Sequence, residues 1–160
     1  MTLPHPRKAI QDHYPPEFAH CFGCGPANPH GLQLKSYLEG DRTLARFTPD
    51  PMYSGGYPGN VYGGMIASLL DCHGTASAAA YAHRNQGRTI GDGDPPIRFV
   101  TASLKIDFQR PTPQGVELTI TGSLRSIEGR KAVIGLTLSA GDTVCAVAEM
   151  LAVQLPPRAA

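Results

Sequence analysis

Net charge is nearly absent from this 160-residue chain, in which 14 lysines and arginines stand against 13 aspartates and glutamates, a formal +1 at pH 7. A protein that tracks nucleic-acid phosphates normally carries a basic excess, so nucleic acid is not expected as a partner. A secretory leader is also lacking: the N-terminal MTLPHPRKAIQDHYPPEF has basic residues but no following run of about 7 to 15 apolar ones. Nor does any stretch read as a membrane span. The longest apolar candidate, Met65 to Ala82, contains Asp71 and His73, which a hydrocarbon interior rarely accommodates. Cysteine is scarce, with four in a chain long enough to hold a core without disulfide staples, and a reducing cytoplasm is the expected location. No GxSxG elbow, P-loop or dinucleotide fingerprint occurs, and there is no internal repeat or low-complexity tract.

What is present fits one domain, since 41% of the residues are hydrophobic and there is no room for a second core. Residues 1–20, rich in Pro and His and without periodicity, read as an N-terminal arm, frayed or laid on a neighbouring molecule, ahead of a single domain over 21–157. CFGCGPANPHG, residues 21–31, is dense in turn formers. It leads into LQLKSYL and, after the turn Glu39-Gly40-Asp41, into TLARFTP, a pair that reads as a hairpin. PDPMYSGGYPGN then predicts an irregular loop before an apolar helix from about Tyr62 to Ala82. After the loop RNQGRTIGDGDPP the period changes from helical to strand. Leu104, Ile106 and Phe108 alternate with Ser103, Lys105 and Asp107, and VELTITGSL, KAVIGLTL and TVCAVAEMLAVQL follow with short connections that predict an antiparallel meander. One buried helix followed by such strands is an α+β layout in which a sheet wraps around the helix.

VYGGMIASLLD, residues 61–71, places two glycines at the helix start and an acid two turns later. Without Cβ atoms, Gly63 and Gly64 let a ligand approach helix N–H groups that have no internal partner, and the helix dipole favours negative charge there. Both glycines are therefore candidate donors to an oxyanion. Asp71 sits among apolar residues, where a carboxylate needs a partner or a task; a solvent-facing acid is the alternative. Eight residues of helix separate Gly63 from Asp71 by about 12 Å, too far for one carbonyl to touch both. If both act on one substrate, they come from two copies related by a twofold axis, which predicts a homodimer with two equivalent sites. Tetramer formation is left open.

The same residues resemble the HGG…D helix start of the PaaI-like branch of acyl-CoA thioesterases, and VTASLKIDFQRP, residues 100–111, resembles its following strand. The likeness runs over residues 21–155. It implies the hotdog fold, an antiparallel sheet wrapped around one long helix, and hydrolysis of an acyl- or aroyl-CoA thioester without a cofactor, coenzyme A entering as part of the substrate. By resemblance Asp71 is general base or nucleophile, Gly63 polarises the carbonyl, and Thr101 orients the water or the acyl group. Tyr62 stands where the family usually has histidine, so proton transfer at that position is not expected. Arg110 and Pro111, with Gly129, Arg130 and Lys131, are the implied coenzyme contacts, because basic groups at strand ends can pair with phosphates. Asn60 either positions the substrate or caps the helix, and the cap is the reading adopted.

Cys21 and Cys24, with His20 and His30 nearby, raise a metal reading, but a structural zinc site joins ligand pairs from separated parts of a chain and the second pair is missing; no metal is expected. Cys72 and Cys145 read as small hydrophobes. Two other activities stay open beside hydrolysis: a non-catalytic acyl-CoA-binding module on the same fold, and hydration of an enoyl-CoA.

Overall fold

The structure, a computed structural model, describes residues 7–157. Strands β1 (Ser36–Glu39) and β2 (Arg42–Phe47) form the expected hairpin; α1 spans Gly63–Asn85, and β3 (Phe99–Phe108), β4 (Leu118–Glu128), β5 (Lys131–Ala140) and β6 (Thr143–Gln154) follow. The first strand is shorter than LQLKSYL suggests. Gln33 has a positive φ of 53°, and the N–H groups of Leu32 and Leu34 donate to Phe22 and Gly23 of the preceding loop instead of to β2.

All six strands pair antiparallel in the order β1-β2-β4-β5-β6-β3. β4, β5 and β6 form the expected meander, but β3 departs from it by lying beyond β6 at the sheet edge, so that β2 takes the place beside β4. The connection 109–117 carries the chain across. It is pinned to the loop before α1 where Val61 N–H donates to Thr112 and Gln114 N–H to Gly59. β4 therefore begins at Leu118, leaving Val116 exposed, and Phe108, expected to face inward, is 55% exposed at the edge.

The sheet's inner face and α1 share one core. Leu69, Leu70, Leu118, Ile120, Ile134, Leu138 and Met150 are fully enclosed. α1 is buried almost all round, as its composition predicts, and only Gly63, Gly64, Ala67, Ser68, Asp71 and Thr75 leave a half-open stripe before its final turn. The helix starts at Gly63 with Tyr62 as its N-cap, so Asn60 is not the cap; its side-chain amide donates to Pro58, and its backbone pairs with Pro113. It runs three residues past Ala82, where His83 donates from Nδ1 to Ala79 before Gly87 turns the chain.

A buried polar chain fixes the helix to the sheet and to the N-terminal segment. Gln11 Nε2 donates to Ser36 Oγ, which is hydrogen-bonded to His73 Nδ1 at 2.9 Å; His73 Nε2 meets Thr43 Oγ1 at 3.1 Å, Thr43 meets Ser77, and Ser77 donates to the His73 carbonyl. With the Ser77 proton committed, Thr43 donates onward, so His73 carries its proton on Nε2 and accepts at Nδ1. The ring is neutral, its pKa lowered to about 4 by burial. Of the arm expected over residues 1–20, residues 1–6 lie outside the described residues, whereas 9–18 are part of the packed body: Ala9, Ile10 and Gln11 are buried, and the Arg98 guanidinium lies over the rings of Tyr14 and Phe18 at 4.1 and 4.5 Å.

Candidate active site

Asp71 projects from the half-open stripe of α1 toward β3, where Thr101 Oγ1 donates to its Oδ1 at 2.5 Å. This contact depends on a β-bulge. Strict alternation from Leu104 and Ile106 would put Thr101 on the outer face, but the pairing with β6 shifts between Thr101 and Ser103, leaving Ala102 unpaired. The extra residue turns both Phe99/Thr101 and Leu104/Ile106 toward the helix. Sequence periodicity alone therefore misplaces Thr101.

At the other end of the edge strand, Phe108 packs beside Gly63, where a Cβ would come within 3.4 Å of its ring. Gly63, Arg110 and Pro111 line a shallow recess of about 240 Å³. Among the described residues, the N–H groups of Gly63 and Gly64 have no protein acceptor, whereas those of Met65 and Ile66 return to Tyr62. Gly64 also makes room for packing: the Tyr62 ring folds back over it, and a Cβ there would stand 2.2 Å from the ring, which also stacks near Tyr53. Asn60 and Tyr62 thus belong to the Gly63 end. Gly129, Arg130 and Lys131 form the β4–β5 turn at the opposite end, with Gly129 at φ 57°, and the Arg130 guanidinium is engaged with the Gln154 carbonyl. The structure does not bring Gly63 and Asp71 together in one chain.

The cleft that holds Asp71 and Thr101, about 280 Å³, is also lined by Cys21, Cys24, Cys72 and Arg98. Sequence reading took Cys72 for a small hydrophobe; its sulfur instead lies 3.7 Å from that of Cys21. Hydrogen bonds from Cys24 and Cys72 lower the Cys21 pKa, and the same bonds raise those of Cys24 and Cys72, so Cys21 yields its proton first. Tyr14 and Arg98 were also missed. No local motif marks them, because their meeting depends on how the N-terminal segment folds back.

A single long helix wrapped by an antiparallel sheet, with a carboxylate on the helix and open N–H groups at its start, defines a hotdog-fold protein. The family description "Thioesterase superfamily" matches residues 58–147, and the chain belongs to that superfamily. Among solved structures it is similar to a thioesterase superfamily protein from Shewanella loihica PV-4, with 46% identity, a TM-score of 0.64 and coverage of 81% of this chain and 97% of that one. It also shares the fold of the E. coli PaaI protein from the phenylacetic acid degradation operon, at 17% identity, TM-score 0.62, and 78% and 81% coverage. Acyl-coenzyme A thioesterase THEM4 of Rattus norvegicus is 28% identical over 123 residues, 76% of this chain and 47% of that protein. The chain thus spans less than half the length of this curated relative.

Proposed function

We propose that the protein hydrolyses an acyl-CoA or aroyl-CoA thioester, with Asp71 of one subunit and the Gly63 N–H of its partner acting on the same carbonyl. The observation that carries this reading is the placement of both groups along one edge strand: Thr101 and Asp71 at the start of β3, Phe108 and Gly63 at its end. β3 offers its outer edge, and Val100 and Phe108 are 45% and 55% exposed along it. When two copies pair β3 to β3 antiparallel about a twofold axis, the start of one strand faces the end of the other. Each Asp71 then meets the partner's Gly63, forming two composite sites.

In the proposed step Thr101 holds Oδ1, leaving Oδ2 to take a proton from water. The resulting hydroxide attacks the thioester carbon, and the charge that develops on oxygen is held by the Gly63 N–H at the positive end of α1. The C–S bond then breaks, and the proton on Asp71 passes to the departing thiolate. Coenzyme A enters as part of the substrate, and no cofactor takes part. Arg110 and Pro111 lie beside Gly63, where a phosphate-bearing coenzyme would pass. Arg130 is engaged with backbone, which leaves Lys131 as the freer cation of its turn. The name of the rat relative and the superfamily match support the substrate class.

The test is release of free CoA from a panel of acyl- and aroyl-CoA esters. Asp71→Asn is expected to lower kcat by about 100-fold or more, the range for a positioned base, while binding persists. Unchanged turnover in that variant would overturn the mechanism; binding without turnover in the wild type would favour a non-catalytic acyl-CoA module.

A further inference from the structure

We propose that Cys21, Cys24 and Cys72 form a binding site for a thiophilic closed-shell cation, zinc being the ion to test. The ligands come from two separated parts of the chain, a C-x-x-C turn and the centre of α1, which supplies the third sulfur that the turn alone lacks. All three sulfurs lie within 4.8 Å of one another, and those of Cys21 and Cys72 are 3.7 Å apart. A disulfide needs about 2.0 Å. Metal–sulfur bonds of about 2.3 Å place tetrahedral ligands about 3.8 Å apart and trigonal ones about 4.0 Å apart, so the Cys21–Cys72 pair has the spacing of a coordination shell and Cys24 stands within 4.8 Å of both.

The loop is shaped around these sulfurs. A Cβ on Gly23 would stand 2.3 Å from Cys72 Sγ, and one on Gly25 would stand 2.4 Å from both the Ala19 carbonyl oxygen and the Cys21 nitrogen. Glycine at 23 lets the backbone lie against the helix sulfur, and glycine at 25 lets the loop close tightly on its own backbone. Gly25 N–H donates to the Cys21 carbonyl at 2.8 Å and Leu34 N–H to Gly23 at 3.0 Å, which hold the turn in place. Three thiolates on a divalent cation leave a net negative charge. Arg98 lines the same cleft, and its Nη1 is buried without a hydrogen-bond partner among the described residues, a cation placed to balance that charge.

On binding, each coordinated thiol releases its proton to solvent, and the open fourth position faces the cleft, where water completes the shell. The ion would clamp the 19–34 loop onto α1 one residue from Asp71. It takes no part in the hydrolytic step written above, and its binding is measured without substrate, so the two readings stand or fall separately.

The experiment uses the full chain, purified with reductant and stripped with a chelator. Zinc is then titrated in competition with a chromogenic chelator, and cadmium serves as a spectroscopic probe. Expected are one ion per chain, a raised Tm, and a thiolate-to-metal charge-transfer band with cadmium. Cys21→Ser and Cys24→Ser are expected to abolish stoichiometric uptake, whereas Cys145→Ser, outside the trio, retains it. If Cys24→Ser does not fold, the exposed Cys21→Ser variant decides. Absence of stoichiometric uptake, or uptake that survives Cys21→Ser, overturns the proposal, as does exclusive formation of a Cys21–Cys72 disulfide in the presence of zinc.

Discussion

The hydroxyl of Thr101 is the residue on which the geometry of Asp71 depends, because it is the side-chain donor that fixes the carboxylate. A hydrogen bond to a charged group contributes about 1.5–3 kcal/mol, so Thr101→Val is expected to lower kcat by about 10- to 100-fold with KM little changed. Thr101→Ser keeps the donor and should retain most activity. Steady-state kinetics on one acyl-CoA checks both. Asp71 and the glycine pair were legible from VYGGMIASLLD, because an acid in an apolar helix and two glycines at a helix start are local signals. Thr101 came only through family resemblance. Its inward direction rests on an unpaired Ala102, which shifts the alternation by one residue between Phe99 and Leu104, and a phase break carried on one side by a single apolar residue and a polar Thr does not stand out from the sequence.

Among the elements, α1 and the meander β4–β6 were readable from period, whereas the place of β3 was not. Its neighbour is set by the crossing segment 109–117, whose Pro-rich sequence marks a turn without saying where the chain lands. The polar chain through His73 has a consequence for α1 as a whole. The ring's folded pKa is lowered to about 4, against an unfolded value near 6.5. Between these values the unfolded chain binds the extra proton, so its contribution is fully present above about pH 6.5 and is lost as pH falls toward 4. That loss is of the order of 3 kcal/mol. Chemical denaturation from pH 7.5 to 4.5 should show it, and His73→Gln, though less stable at neutral pH, should show a flatter pH dependence across that window.

At the scale of the whole molecule, the proposed site requires two chains, and this can be tested without a structure of the complex. Tyr62 precedes Gly63 with φ −71° and ψ 150°, a conformation compatible with a following proline, and proline is tolerated at the first helical position. Gly63→Pro therefore removes the N–H while keeping the helix, and activity is expected to fall by about 100-fold or more. Mixing it with Asp71→Asn, after dissociation and random reassociation, restores one intact site in each mixed dimer and about a quarter of wild-type activity. If both groups served from one chain, no activity would return.

The two ends of the sheet differ in a way that bears on how copies accumulate in a crowded solution. β3 presents ten residues of open edge, whereas β1 is four residues long and is contacted by the short 3-10 turn at Ile10–His13. Exposed strand edges are templates for unlimited addition, and short or covered ones terminate it. A chain with one of each can be extended once and then offers nothing for a third copy to continue, so the edge proposed to complete the reaction centre would not also seed a fibre.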